Sequence, residues 1–145
     1  MKGLAPDPQT IALGVRQPWV ELILRGAKTI EVRSQDTRTR GTIYLYAAKK
    51  LSNLPAARSA AREHQLVTRL LPAGFLVGSV ELCDSRPARS RDSRAACVPP
   101  ALLKNQFAWE LRNPRRFELP IPVAYLPCGV WFYPFRRKHR AGSRH

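Results

Sequence analysis

The stretch QPWVELILRGAKTIEVRS, residues 17–34, changes its period halfway along, and that change decides the fold. Pro18 stands where proline suits a first helical turn, and Trp19, Leu22 and Ile23 recur at the i, i+3, i+4 spacing of one helix face. Gly26 stops that helix. From Thr29 the period becomes two, so Ile30 and Val32 face a core while Glu31 and Arg33 share the opposite face of a short strand. Lys28 lies in the intervening turn, where strand parity does not fix its direction, and nothing prevents it from joining Glu31 and Arg33.

Working outward, SQDTRTRG (34–41) is polar and ends in a glycine turn, and TIYLYAA predicts a second strand over 42–48, closed by Lys49 and Lys50. The alanine-rich segment from Pro55 to about Arg69 has helical propensity and period, with Pro72 beyond its end. FLVGSVELCD, residues 75–84, reads as a third and well-buried strand, because its apolar run is nearly continuous. Residues 85–105 carry four arginines, one aspartate and three prolines without a sustained apolar period, which predicts a mobile basic loop with one helical turn at most. FAWEL from Phe107 is a fourth strand. The proline-broken pieces after it suit edge strands and irregular turns closing a barrel.

At 145 residues and 44% hydrophobic content the chain is sized for one domain with a real core. Its 25 Lys and Arg against 10 Asp and Glu give a formal charge of +15, which points to a polyanionic partner, nucleic acid first. No apolar run approaches the roughly 20 residues that span a bilayer, and no basic amphipathic helix is present, so a membrane partner is not expected. MKGLAPDPQTIALGV lacks the apolar run of a signal peptide, and the expected location is cytoplasmic. Cys83, Cys97 and Cys128 are odd in number and widely spaced, and two of the three histidines, His139 and His145, lie in the tail. That pattern argues against a zinc knuckle, a disulfide framework or a cysteine–histidine nucleophile pair. No metal or cofactor is expected, and a monomer is.

The combination of QPW, then G-x-K-x-x-E-x-R at Gly26, Lys28, Glu31 and Arg33, then Arg33-Ser34, a threonine and Arg40-Gly41, resembles the ASCH domain, the activating-signal-cointegrator homology domain of the PUA-like superfamily. The resemblance implies an α+β fold, a PUA-like mixed β-barrel of about five to six strands with two or more flanking helices. It covers residues 11–135, leaving 1–10 as an N-terminal extension and 136–145 as a basic disordered tail. It also implies a cleft for RNA, single-stranded DNA or a modified nucleoside, into which the motif side chains project. In that reading Lys28 and Arg33 meet phosphate or base, and Glu31 accepts from a base edge. Ser34 lies beside them, and Arg38, Arg40, Lys49 and Lys50 form a surrounding phosphate track. Gln17 caps the helix, Trp19 anchors it and Gly26 ends it.

Two departures from the family pattern are visible. Gln35 stands where many relatives have a tryptophan, which removes a platform for base stacking. The alternative reading is a small amidohydrolase acting on N4-acylated cytidine, or a ribonuclease, with Lys28 and Glu31 as catalytic groups. For the amidohydrolase, Glu31 occupies the place of a threonine hydroxyl, and Asp92 is the sole acid between Ser85 and Gln106. A binding module is therefore the favoured expectation.

Overall fold

The computed structural model describes residues 6–127 and 129–136 of the chain. In chain order the elements are β1 (Ala12–Val15), α1 (Trp19–Leu24), β2 (Ile30–Arg33), β3 (Gly41–Ala47), α2 (Pro55–Glu63), β4 (Phe75–Pro87), α3 (Ser93–Ala96), β5 (Phe107–Ile121) and β6 (Trp131–Phe132). Short 3-10 turns occupy Thr68–Leu70, Ser90–Asp92 and Pro100–Leu103. The strands form one mixed sheet in the order β2-β5-β4-β3-β1-β6, with β1 parallel to β3 and the other neighbours antiparallel. The sheet curls into a half-barrel, and with its three helices the molecule is α+β, as the sequence implies.

Curling brings the two ends of the sheet together, and side chains close the seam. Arg33 on edge strand β2 donates from Nη2 to the Gly14 carbonyl of β1 at 2.9 Å. Trp109 of β5 stacks on Trp131 of β6, with centroids 5.7 Å apart and planes 15° from parallel. Helix α1 links β1 to β2 and packs in the main core with Leu13, Val15, Leu45, Trp109 and Leu111. All six of its residues are buried, not the single face that the apolar spacing marks out. Burial of Glu21 needs donors. Arg116 of β5 supplies two at 2.8 Å each, and Arg25 a third at 2.8 Å. Burial pushes the Glu21 carboxyl up, and the two arginines outweigh it and hold the group below its usual value.

The start and end of α1 follow from local chemistry. Gln17 is buried, its Oε1 accepting from the Glu21 N–H at 3.0 Å and its Nε2 donating to the Pro72 carbonyl at 3.0 Å, so it caps the first turn and ties it to a loop. Gly26 leaves the helix at φ +80°, a conformation that costs glycine little. Close approach decides Gly78 on β4. A Cβ there would lie 2.3 Å from the Arg115 carbonyl oxygen and 2.6 Å from Leu24 Cδ2, so glycine lets α1 and β5 close on β4.

Several elements differ from expectation. The four-residue β1 is absent from the sequence reading, and α2 ends at Glu63, six residues before Arg69. Gln65, at φ +58°, turns the chain just after α2. The segment 85–105 is not a plain basic loop. Ser85 to Pro87 extend β4, and Arg86 among them grips both Asp92 carboxylate oxygens at 2.9 Å and Glu110 at 2.7 Å. Ala96 and Leu103 from the same segment are buried against Ile30 and Ala108. The pieces after FAWEL join into one 15-residue strand, β5, which takes in Pro114 and Pro120 and pairs with β4 through register shifts. Residues 1–5, Cys128 and the tail from 137 onward lie outside the described residues, so the expected disorder of that tail falls there too.

Candidate functional site

β2 has buried surfaces on both sides, and this sets the site. Ile30 and Val32 do face a core, but it is the smaller one under α3. Glu31 pairs in register with Trp109 and so shares the face of the main core, at its open edge. Glu31 is 6% exposed, which separates it from an ordinary surface ion pair.

Lys28 does join the motif. Its Nζ donates to the Ala96 carbonyl at 2.6 Å, lies 3.8 Å from Glu31 Oε1, and sits 4.9 Å from the centre of the Trp19 ring. Burial pushes its pKa down from the usual 10.5, against the attraction of Glu31. Arg33 Nε donates to Glu31 Oε2 at 2.7 Å, and its guanidinium lies 5.7 Å from the Trp109 ring centre. Trp109 Nε1 in turn donates to the Gln35 carbonyl at 3.0 Å, so Gln35 serves the site through its backbone. Glu31 is thus held by one oxygen. At 3.8 Å the Lys28 ammonium is beyond hydrogen-bond range of the other, and Oε1 keeps acceptor capacity.

Two neighbouring cavities have Glu31 in their lining. One, of about 630 Å³, runs past Gly14, Arg16, Arg33, Ser52, Asn53 and Val130. The other, of about 330 Å³, is walled by Lys28, Val32, Val98, Leu102 and Gln106. Trp19, Glu31 and Leu54 line both. These volumes suit a small molecule or a single base. Arg16 is exposed and makes no ion pair among the described residues, so it is the free cation of the larger cavity.

The remaining expected residues divide. Lys49 and Lys50 are exposed just past β3, beside Ala48 and Ser52 of the larger cavity, with the Lys49 stem lying over Gly74. Arg38 and Arg40 sit at the opposite end of β3, and Arg40 is spent on the Thr37 and Thr39 carbonyls at 2.8 Å and on Asp84 at 3.6 Å. Ser34 is exposed and lines neither cavity. The expected track is therefore split by the length of β3. Arg16 escaped the sequence reading although it directly precedes QPW. Trp109 and Ala96 escaped because only folding brings them to the motif. Among the described residues no group of three or more His, Cys, Asp or Glu is placed to hold a metal, and no helix is long and apolar enough to cross a membrane.

The curled six-stranded half-barrel with its three helices is the fold of ASCH (PUA-like) domains, and the lysine–glutamate–arginine cluster lies at its seam. The ASCH domain model matches residues 13–121, and the chain belongs to that family. The chain is 36% identical over 130 residues to activating signal cointegrator 1 of Homo sapiens and 27% identical over 130 residues to that of Mus musculus. Each match covers 82% of this chain but 21% of the relative, so the chain spans about a fifth of the length of the curated relatives it matches. Among solved structures it resembles the ASCH protein of Zymomonas mobilis, at 16% identity, TM-score 0.61 and 90% coverage of both chains. A single-residue variant of that protein superposes with TM-score 0.56, at 15% identity and 92% coverage of each chain.

Proposed function

We propose that this ASCH domain is an RNA-binding module, covering residues 11–135, that takes an unpaired base into the seam cavity and meets the flanking phosphates with Arg16, Lys49 and Lys50. The observation that carries the reading is Glu31: buried, fixed through Oε2 by Arg33, with no hydrogen bond at Oε1, and lining two neighbouring cavities. A carboxylate oxygen so placed accepts from the exocyclic amine that cytosine, adenine and guanine carry and uracil lacks. Trp19, which lines both cavities, offers an apolar wall to the base. The charge of +15 supplies the electrostatic attraction.

Binding is favoured over hydrolysis by the same geometry. Lys28 Nζ is committed to the Ala96 carbonyl and the residue is almost wholly buried, which suits a positioning group better than a nucleophile. Both Asp92 oxygens are engaged with Arg86, and the Arg89 N–H adds a bond to Oδ2 at 2.8 Å, so this acid is not free to supply a second catalytic carboxylate.

The test is the salt dependence of binding to a labelled cytidine-containing trinucleotide, read by fluorescence anisotropy. A trinucleotide has two internucleotide phosphates, and contacts to both give a log–log slope of about −1.4, at about 0.7 per contact. An affinity independent of salt, or no binding at low salt, would refute the proposal.

A further inference from the structure

The smaller cavity at Glu31 has a neighbour on its far side from the seam's larger one. Val98 lines both the smaller seam cavity and a third, of about 760 Å³, that lies between α2 and the segment from Arg91 to Pro99. Val98 is thus a common wall of the smaller seam cavity and the third, as Trp19, Glu31 and Leu54 are of the two seam cavities, so the three depressions are neighbours. At the far end of the three stand Arg91 and Arg94, both exposed and neither in an ion pair among the described residues. Asp92 between them is turned away onto Arg86, and Glu63 is the one acid lining that end. The arginine-rich run that reads as a loop in the sequence thus splits its work. Arg86 holds the segment folded, while Arg91 and Arg94 stay available to an anion.

We propose that these neighbouring depressions act as one groove that carries a single RNA strand across the domain, with one base at Glu31 and phosphates farther along the strand bound by Arg91 and Arg94. The inference rests on the base-binding reading of the seam and extends it: the ligand is a strand several nucleotides long, not a free nucleoside. Two cationic ends flanking a central acceptor complement a polyanion with a base turned inward. Ser52 and Asn53 at one end and Ser59 at the other add neutral polar groups of the kind that pair with ribose 2′-hydroxyls, so the proposed strand is RNA.

The experiment compares a trinucleotide with an octanucleotide of RNA, and the same octanucleotide as DNA, by anisotropy against wild type, Arg91→Gln/Arg94→Gln and Ser59→Glu. Wild type is expected to bind the RNA octamer more tightly than the trimer, with a salt slope steeper by about 1.4 for two added contacts at about 0.7 each. The double variant should lose that excess affinity and slope while binding the trimer as wild type does, and Ser59→Glu should weaken the octamer alone. Unchanged urea midpoints would keep these losses from being unfolding. Octamer binding unaffected by both variants overturns the groove and leaves the seam reading standing. Equal affinity for the DNA octamer overturns the assignment to RNA. Failure of wild type to bind trimer or octamer overturns both readings.

Discussion

Replacing Lys28 measures whether this lysine is a buried clamp or an exposed cation. Its side chain is 2% exposed and its Nζ lies 2.6 Å from the Ala96 carbonyl. A hydrogen bond with a charged partner is worth about 1.5 to 3 kcal/mol, and the stem adds about 0.8 kcal/mol per buried methylene. Taking an ammonium out of water works against both gains. Lys28→Met keeps most of the apolar stem and loses the ammonium's bond to Ala96 and its attraction to Glu31 and the Trp19 ring, offset by the relieved desolvation, so it should cost about 1 kcal/mol. Lys28→Ala removes the stem as well and should cost about 3 kcal/mol. Urea denaturation reads both as lower midpoints at unchanged slope, with Lys50→Ala as an exposed control within about 0.5 kcal/mol of wild type. The pH dependence carries a sign. The folded pKa of Lys28 is depressed by burial, so its penalty is present at neutral pH and is relieved as pH rises toward 10.5, where wild type should gain on Lys28→Met. A Lys28→Ala protein as stable as Lys50→Ala would refute the clamp.

Gly78→Ala should destabilise by about 2 kcal/mol or more, because its Cβ would fall 2.3 Å from backbone, and a thermal melt equal to wild type would mean that α1 and β5 do not close on β4 as described. Acid titration tests the Arg86–Asp92 pair. The Arg86 hydrogen bonds hold Asp92 down to about 2, so about 1 to 2 kcal/mol of stability is present above the ordinary 3.8 and is lost as pH falls toward 2. Asp92→Asn should remove that part of the acid limb; a variant with the wild-type pH profile would contradict the pairing.

Local chemistry carried much of the fold. A helix start at Pro18, a stop at Gly26 and a period of two from Ile30 are all written in adjacent residues, and β3 and β4 announce themselves by dense apolar runs. β1 does not, since four residues interrupted by Gly14 hold too little pattern to register. The length of β5 was hidden by Pro114 and Pro120, which local rules treat as breaks and which β5 accommodates through register shifts with β4. Charge counting misled at 85–105, because Arg86 finds Glu110 on β5, 24 residues away. The site divides along the same line. Lys28, Glu31 and Arg33 are legible as neighbours, whereas the Ala96 carbonyl that holds Lys28 lies 68 residues on, and the Gly14 carbonyl that holds Arg33 depends on the curl of the whole sheet.

The central claim is that Glu31 Oε1 accepts from a base. Anisotropy titrations of a cytidine trinucleotide and a uridine trinucleotide against wild type and Glu31→Gln test it in one measurement. The wild type should prefer the cytidine trimer, and Glu31→Gln should lose about 1 to 3 kcal/mol on cytidine and little on uridine, abolishing the preference. Equal loss on both sequences, or none on either, would contradict a base held at Glu31.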